Sequence, residues 1–516
     1  FDLSTLDTDN VERIEIVRGP LSAVHGSDAI AGAINVITKT GKSGDQRIVD
    51  GSGGRFGYAR GLAVVRGSRG IFDASISGSI VEDGEPESDS TYRAGSLNSS
   101  FGVELPGDAE LRGTLRFSDS RSRAYPEGSG GEKFAVSRER DRRQAYELSM
   151  GLAYDQRLNE KVDYVFGINY YRRREERRSP AIAPPPGNPF AAVPGQEAND
   201  LLYRTRINAN GTVELIPGLS LTAGGDVSFE NANSIGELDF GFLTVPGSYN
   251  RSRVVGGPLL EAIFEHEIGL TLQAGIRADF GDDTDTEWTP RVGASYRVPR
   301  IPVTLRGSWG RGFKLPAFFS LYDPLIGNDE LDAEESEGWD VGVDAIFWDG
   351  RIRLSATYFE ISVKELIDFD FATFQLVNRD EVTSKGVEIG MAADLPWNLG
   401  FSGSLTRTRT NIRHTNDRLR RRPGWRASGG FSWTPHERLS LGLNALWVAS
   451  THDESNPTGK VKLDDYWRFD ARGDLRVWRG VSIYLAIDNL FDENYEEAVG
   501  VPAMGIRPRA GARAVF

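Results

Sequence analysis

Three carboxylates in one short segment are the clearest candidates for metal binding in this sequence. Asp282, Asp283 and Asp285 lie in a polar stretch, and closely spaced carboxylates can hold Ca²⁺. No EF-hand spacing accompanies them, so an ordinary polar loop is the alternative. The five histidines are scattered without metal-ligand spacing. The chain has no cysteine, which excludes disulfides, cysteine-ligated zinc and thiol catalysis.

No arrangement of residues predicts catalysis. The sequence contains no nucleophile elbow, phosphate-binding loop or dinucleotide signature in its required context. We therefore expect a protein that is not an enzyme and that needs no cofactor. The formal net charge of −14 also argues against a nucleic-acid partner.

Three basic segments interrupt this acidic chain, at Arg121–Arg143, Tyr170–Pro180 and Arg418–Arg426. We expect all three to form loops. Arginines beside aromatic rings could attract and stack on an anionic metal chelate. The alternatives are contact with lipopolysaccharide phosphates or plain solvation. The candidate ligand-binding residues in these segments are Tyr125, Tyr171, Arg172, Arg421 and Trp425.

The elements that would carry these residues are β-strands. From about Gln46 onward the apolar residues recur at every second position. In one segment Leu111, Leu115 and Phe117 share a face, and Arg112 lies on the other. No run approaches the roughly 18 apolar residues of a membrane-spanning helix, but membrane strands hide their apolar residues at alternate positions.

The links between strands favour a membrane barrel over a soluble sandwich. About 22 strand candidates of roughly 9–17 residues are joined by alternating short and long links, as in outer-membrane barrels. A sandwich has no reason to alternate in this way. The predicted short links are 105–108, 155–159, 215–218, 266–269, 298–302, 348–350, 395–398, 434–438 and 478–480. The predicted long links are 120–142, 175–199, 231–250, 312–334, 364–382, 411–423, 450–463 and 489–504.

Tryptophans fall near both ends of the predicted strands. Trp348, Trp397 and Trp478 lie at short links. Trp309, Trp425 and Trp447 lie toward the opposite ends. This distribution is typical of the two aromatic girdles of a membrane barrel. We therefore expect an all-β, 22-stranded antiparallel transmembrane barrel.

The segment Val11–Lys39, which reads VERIEIVRGPLSAVHGSDAIAGAINVITK, resembles the end of the plug domain of TonB-dependent outer-membrane transporters. The branch it resembles most contains the cobalamin and siderophore transporters. The resemblance implies that residues 1–42 are the C-terminal part of a plug inside the lumen, residues 43–516 are the barrel, and the chain is N-terminally truncated. Further motifs of the family follow in its order, at Thr289–Tyr322, Leu325–Val343, Asn378–Gly390 and Asp488–Glu497.

By this resemblance, Arg18 fixes the plug to acidic residues on the barrel wall. Strand parity independently turns Asp340 and Glu388 into the lumen, where Arg18 is expected to bind one or both of them. The alternative is that all three are solvated lumen charges. Turns and close backbone approaches in the plug are expected at Gly19, Pro20, Gly26 and Gly32.

The resemblance implies TonB-dependent active transport of a scarce nutrient, a ferric siderophore or cobalamin-like chelate, across the bacterial outer membrane. The alternatives are a passive porin-like channel and a loop-borne ligand or adhesion receptor. A porin lacks a plug, which favours transport. The expected partners are TonB, outer-membrane lipid, lipopolysaccharide and a small metal chelate, with the protein acting as a monomer.

Overall fold

The computed structural model describes residues 3–84, 90–184, 192–282, 284–370, 375–413 and 417–516, without the side chains of residues 284, 370 and 380. Its strands are β1 (Val11–Arg18), β2 (Gly32–Thr38), β3 (Gln46–Gly54), β4 (Ala59–Arg69), β5 (Phe72–Gly84), β6 (Thr91–Leu105), β7 (Ala109–Ala124), β8 (Asp141–Asn159), β9 (Val162–Ser179), β10 (Gly195–Ile216), β11 (Leu219–Asp239), β12 (Thr244–Pro246), β13 (Tyr249–His266), β14 (Leu270–Gly281) and β15 (Thr284–Arg297). They continue with β16 (Val303–Lys314), β17 (Glu334–Phe347), β18 (Ile352–Asp370), β19 (Gln375–Leu395), β20 (Leu399–Ile412), β21 (Trp425–His436), β22 (Leu439–Ala449), β23 (His452–Ser455), β24 (Gly459–Lys462), β25 (Tyr466–Trp478), β26 (Val481–Asp488), β27 (Glu496–Ala498), β28 (Val501–Pro502) and β29 (Arg507–Val515).

Helices are few and short among the described residues. They are α1 (Ser22–His25), α2 (Gly131–Phe134) and α3 (Phe318–Tyr322). Single 3-10 turns include Leu3–Thr5, Thr8–Asn10 and Gly41–Ser43. Within the described residues, no helix combines the length and apolar character needed to span a membrane.

The long strands close into one antiparallel barrel. Each pairs with its neighbour in chain order, and the last strand, β29, pairs with the first, β3, from Val515 opposite Ile48 to Arg509 opposite Gly54. The three-residue strand β12 only extends β11, so 22 strands form the wall. The predicted 22-stranded barrel is confirmed. Closure leaves no unpaired strand edge to aggregate.

The two rims of the barrel differ as predicted. One rim has tight turns, such as Pro217 and Gly218 between β10 and β11, and we call it the short-turn rim. The other carries longer connections, such as residues 315–333, and we call it the long-loop rim. Trp348, Trp397 and Trp478 project from the short-turn rim. Toward the long-loop rim the Trp447 and Trp467 rings stack 5.9 Å apart.

Several predicted strand ends are wrong. Strands β10 and β11 reach 22 and 21 residues, longer than predicted. Residues 175–179 and 195–199 of one expected loop belong to β9 and β10, and residues 231–239 of the next belong to β11. The predicted turn 155–159 is still strand, because β8 runs to Asn159 and the chain reverses at Glu160 and Lys161. Backbone pairing continues beyond the apolar stretch because charged side chains on both faces do not interrupt the ladder.

Candidate functional site

The segment before the barrel forms a hairpin inside the lumen. Strand β1 pairs antiparallel with β2, and Arg18 lies opposite Gly32. The connection between them, residues 19–31, contains α1 and contacts β14, β15 and β16 of the wall. We call residues 3–38 the inner segment and residues 19–31 its wall loop.

The glycines predicted to shape this segment adopt the required conformations. Gly19 has φ 87° and Gly26 has φ 76°, both in the left-handed region that favours glycine. Gly32 has φ 151°, and a Cβ there would lie 2.6 Å from the Val17 carbonyl oxygen. Pro20 follows Gly19 and directs the chain toward the wall.

The wall loop rests in a depression lined by three glycines, Gly310 and Gly312 of β16 and Gly338 of β17, which we call the glycine groove. A Cβ on Gly338 would lie 2.9 Å from Pro20 Cδ, and one on Gly310 would lie 3.3 Å from the Pro20 carbonyl oxygen. A Cβ on Gly312 would lie 3.1 Å from Ser22 Oγ and 3.2 Å from Ile30 Cα. The backbones approach this closely only because the wall lacks side chains here.

Serine hydroxyls join the wall loop to backbone groups above the glycine groove. Ser22 Oγ, which is fully buried, accepts a hydrogen bond from Phe313 N at 3.1 Å. Ser27 Oγ accepts one from Leu315 N at 3.1 Å. From the wall, Ser336 Oγ donates to the Ile30 carbonyl at 2.6 Å. These bonds satisfy backbone groups that are shielded from water, so losing them would be costly.

A buried charge cluster on the wall supports the tip of the wall loop. Arg277, only 1% exposed, donates to Asp279 at 2.7 Å and to Asp226 at 2.7 Å. A Cβ on Gly26 would lie 3.2 Å from Arg277 Nη2, so a glycine lets the loop pack on this guanidinium. Arg206 bonds Asp226 at 2.9 Å and donates to the His25 carbonyl at 3.3 Å.

The wall charges that shift the pKa of His25 belong to arginines. Burial, and then the nearby guanidinium groups of Arg206, Arg291 and Arg277, lower the pKa of His25 below its ordinary 6.5. The imidazole of His25 is therefore in its neutral form when the wall loop is docked.

Two aspartates anchor the beginning of the inner segment. Arg60 of β4 bonds Asp7 at 2.9 Å and Asp9 at 2.7 Å, and Arg513 of β29 bonds Asp9 at 2.6 Å. Burial alone would raise the pKa of Asp9, but its bonds to Arg60 and Arg513 outweigh burial and hold that pKa below 3.8. Burial raises the pKa of Asp7, despite the same arginine.

The predicted contact of Arg18 is present with one partner and absent with the other. Arg18 forms an ion pair with Glu388, with side-chain exposures of 69% and 20%. Asp340 instead accepts from Ser308, directly opposite it in the ladder, and from Arg306 Nη1 at 3.4 Å. Of the one or both carboxylates predicted for Arg18, the structure therefore pairs it with Glu388, because wall neighbours already use the carboxylate of Asp340. All three predicted residues line one cavity of about 610 Å³ beside β1.

Tyr171 and Arg172 lie in strand β9, not in the predicted loop, and point to opposite sides of the wall. Tyr171 Oη donates to Glu147 at 2.9 Å and borders a cavity of about 240 Å³ next to His25. Arg172 is exposed on the outer face, 5.6 Å from the Tyr203 ring. Of these two residues, only Tyr171 faces the lumen.

The remaining predicted ligand residues already have protein partners. Tyr125 Oη accepts from Arg138 at 3.0 Å, and the Arg140 guanidinium lies 3.6 Å over its ring. Arg421 bonds Asp453 at 3.1 Å and Glu127 at 3.2 Å. Trp425 lies on the outer face beside Trp447, 6.4 Å away, so it belongs to the aromatic girdle. The predicted ligand contact of Trp425 stays a prediction.

The acidic triplet does not assemble a metal site among the described residues. Asp282 accepts a hydrogen bond from Val254 N at 3.0 Å, and Asp285 is part of β15. Asp283 lies outside the described residues. Nowhere in the described part of the chain do three or more His, Asp or Glu side chains cluster as metal ligands would.

The glycine groove and the serine contacts were missed at the sequence level. The available signal was strand parity: Gly310, Gly312, Ser336 and Gly338 all occupy inward positions of β16 and β17. Small residues on the inner face of neighbouring strands indicate close approach of another backbone.

Comparisons with known proteins agree with this geometry. The chain matches the family model described as TonB dependent receptor-like, beta-barrel, over residues 37–490, and the model of the TonB-dependent Receptor Plug Domain over residues 1–33. It is 22% identical to the Vitamin B12 transporter BtuB of Vibrio cholerae, covering 97% of this chain and 79% of that protein. It is 24% identical to the Vitamin B12 transporter BtuB of Vibrio vulnificus, covering 95% of this chain and 76% of that protein.

Solved structures share the fold at low sequence identity. The siderophore receptor PiuA from Acinetobacter baumannii superposes with a TM-score of 0.79 at 14% identity, covering 99% of this chain and 87% of that one. The copper transporter OprC gives a TM-score of 0.81 at 16% identity, with the same coverage of 99% and 87%.

Proposed function

Because the chain belongs to the TonB-dependent receptor family, we propose that it imports a bulky metal chelate of the cobalamin or ferric-siderophore type. The family members are transporters and receptors of the bacterial outer membrane, and this barrel crosses that membrane with many strands. TonB is the partner of the family. In this chain we propose that it transmits force through the plug and that the protein does no covalent chemistry on its cargo.

The observation that carries the proposal is the buried attachment of the inner segment to the wall. Its wall loop fits the glycine groove and makes serine hydrogen bonds shielded from water. Its start is bound through Asp7 and Asp9 to arginines of two wall strands. An inner segment attached in this way would block a passive channel, whereas an energised transporter must displace such a segment.

The class of cargo is inferred from the relatives and from the chemistry of the lumen. The curated relatives carry the name of vitamin B12 transporters, and the structural neighbours include siderophore receptors and a copper transporter. The wall beside the wall loop is polar, with Tyr171, Arg204 and Arg206 bordering the cavity of about 240 Å³. That cavity is smaller than the roughly 300–1,000 Å³ typical of ligand sites, so it would supply only part of a binding surface.

Uptake by the native host tests the proposal. The gene is deleted and restored, and uptake of radiolabelled cyanocobalamin and of a panel of ferric chelates is measured with and without functional TonB. We expect uptake of one class to require both the gene and TonB. Uptake that requires the gene but is unchanged without TonB would contradict energised transport.

Liposome swelling distinguishes the channel alternative. Intact protein in liposomes should admit sugars slowly, because the inner segment stays seated without TonB. Rapid sugar entry through the intact protein would support the passive channel and contradict the proposal.

A further inference from the structure

Four connections at the long-loop rim meet around the carboxylate of Asp453. They are residues 125–140, 417–424, 450–465 and 489–506, and we call them the first to fourth mouth loops in chain order. The Asp453 side chain is fully shielded from solvent, with 0% exposure. Because a charge is costly to bury without partners, the groups that pair with this carboxylate decide how the mouth loops fit together.

The Asp453 carboxylate joins the third mouth loop to the second and the fourth. Asp453 Oδ2 accepts a hydrogen bond from Val499 N at 2.9 Å and another from Arg421 Nε at 3.1 Å. Arg421 also reaches the first mouth loop, because its Nη1 bonds Glu127 at 3.2 Å. The pair of Asp453 and Arg421 therefore contacts all four mouth loops.

The backbone of Arg421 is held in a conformation that a free loop would avoid. Its φ of 53° lies in the left-handed region, which non-glycine residues rarely adopt. Arg421 N donates to the His452 carbonyl at 2.7 Å, directly beside Asp453. Such conformations persist where the surrounding structure fixes them, so this bond and the Asp453 carboxylate together set the direction of the guanidinium.

The first and fourth mouth loops are in direct backbone contact. Lys133 N donates to the Gly500 carbonyl at 3.2 Å. Gly500 has φ 74°, and a Cβ on Gly131 or on Gly500 would overlap backbone atoms of the other loop. The two loops approach this closely because neither has a side chain at the contact.

The contacts between mouth loops place them over the lumen. Six wall strands, β26, β29 and β3 to β6, lie between β25 and β7. The seven steps between neighbouring strands, each about 4.8 Å, amount to roughly 34 Å along the wall. Asn456 N of the third mouth loop nevertheless donates to the Gly128 carbonyl of the first at 2.8 Å. Both loops must therefore lean inward from the wall to meet.

The fourth mouth loop also packs on the inner side of the wall. Trp467 is exposed on the outer face and stacks with Trp447, so the adjacent residues Tyr466 and Val448 face the lumen. Tyr495 belongs to one buried cluster with Val448 and Tyr466, and its ring stacks on Tyr466 with 3.9 Å between centroids. This loop therefore covers part of the opening through which cargo would enter.

We propose that Asp453 is a positioning residue for cargo capture, because it holds the mouth loops in one arrangement before cargo arrives. This role rests on the proposed function, which assigns the mouth of the barrel to the cargo path. Loops that are ordered in advance lose less conformational entropy on binding, so affinity rises without any new contact. Asp453 is too deeply buried to touch cargo, and it acts through Arg421 and the loop backbones.

Uptake kinetics of point variants in the native host test this role. Asp453→Ala removes the carboxylate, whereas Asp453→Asn removes the charge but keeps an oxygen acceptor for Val499 N and Arg421 Nε. Asp464→Ala is the matched control, because Asp464 is an exposed carboxylate of the same mouth loop. TonB-dependent initial rates are measured over a range of concentrations of radiolabelled cyanocobalamin and of each ferric chelate in the panel. They give a half-saturating concentration and a maximal rate for each variant.

We expect Asp453→Ala to raise the half-saturating concentration about tenfold, as the loss of a hydrogen bond to a charged group would. The maximal rate should stay within about twofold of the wild type, and Asp453→Asn should recover most of the lost affinity. Asp464→Ala should match the wild type in both quantities. A lower maximal rate with an unchanged half-saturating concentration would reduce Asp453 to a purely structural role and overturn the proposal. Equal half-saturating concentrations in Asp453→Ala and Asp464→Ala would overturn it as well.

Hydrogen–deuterium exchange of the purified full-length chain tests the joint between the loops without any cargo. In Asp453→Ala, exchange of residues 126–134 and 496–502 should accelerate together with exchange of residues 452–455. Acceleration confined to residues 452–455 would show that Asp453 does not hold the other loops, and would overturn the proposal. If the wild type takes up no probe in a TonB-dependent way, the proposed function fails, and the cargo role of Asp453 fails with it, whatever the exchange shows. Heat-modifiable gel mobility confirms that each variant is folded.

Discussion

The wall loop and Arg18 are adjacent in the chain, yet they contact the barrel in opposite ways. The wall loop fits a groove without side chains and makes hydrogen bonds that water cannot reach. Arg18 reaches Glu388 with 69% of its own side chain exposed. Exposed ion pairs contribute little because water and salt screen them, whereas buried contacts resist exchange with solvent. Fit and burial, rather than the Arg18 ion pair, therefore hold the inner segment on the wall.

Filling the glycine groove should have the largest effect. Gly312→Leu places a side chain where Ser22 and Ile30 now lie, at 3.1 and 3.2 Å from its Cβ. We expect this overpacking to destabilise the seated loop by about 3 kcal/mol. Hydrogen–deuterium exchange of residues 21–31 should accelerate strongly. Gly442→Leu is the control, because a Cβ there meets no atom nearer than 4.0 Å.

Removing a buried ion pair should have the next largest effect. Arg60→Gln leaves Asp7, which is 6% exposed, without its cationic partner, while Asp9 keeps Arg513. We expect a loss of about 2 kcal/mol, below the roughly 3–5 kcal/mol of a fully buried pair. Exchange at residues 7–10 should accelerate while exchange at the wall loop changes less. An effect no larger than that of an Arg18 substitution would show that burial does not distinguish the two contacts.

Acidification should loosen the wall loop moderately. The pKa of His25 is lowered in the docked state. Its neutral form therefore allows full docking stability above pH 6.5, and this stability decreases as the pH falls through 6.5 toward the lowered pKa. Exchange of residues 21–31 measured from about pH 8 to about pH 5.5, corrected for the intrinsic rate, should report this. In His25→Gln the exchange rate of residues 21–31 should depend less on pH. An unchanged pH dependence in this variant would show that another group titrates.

Removing the Arg18 contact should have the smallest effect. Arg18→Ala and Glu388→Gln should each change the stability of the seated segment by less than about 1 kcal/mol. The change in stability caused by either substitution should be smaller still at high salt, because the ion pair is solvent-exposed. A loss comparable to that of Gly312→Leu would reverse the ranking of the two contacts.

The sequence predicted the barrel well because its signals repeat along the chain. Period-two apolar faces and alternating links occur in nearly every strand, so single errors do not change the fold. Strand ends were predicted poorly in β8 to β11. There Arg172, Arg174 and Glu176 read as a polar loop, although each occupies a regular ladder position.

The candidate site was predicted only in part. Gly19, Gly26 and Gly32 could be predicted because backbone turns with positive φ favour glycine whatever surrounds the segment. Parity correctly turned Asp340 inward, but it could not reveal that Ser308 and Arg306 compete for the same carboxylate. The fit of Ser22 to Gly312 joins residues 290 positions apart, and a single sequence carries no signal for such a pair.

A comparison of Gly312→Leu with Arg18→Ala shows directly whether the glycine groove or the ion pair holds the wall loop. Hydrogen–deuterium exchange of residues 21–31 is measured for both variants, with Gly442→Leu as the control and gel mobility as the test of folding. We predict fast exchange in Gly312→Leu and near wild-type exchange in Arg18→Ala. Fast exchange in Arg18→Ala, with protection retained in Gly312→Leu, would show that the ion pair and not the glycine groove holds the wall loop.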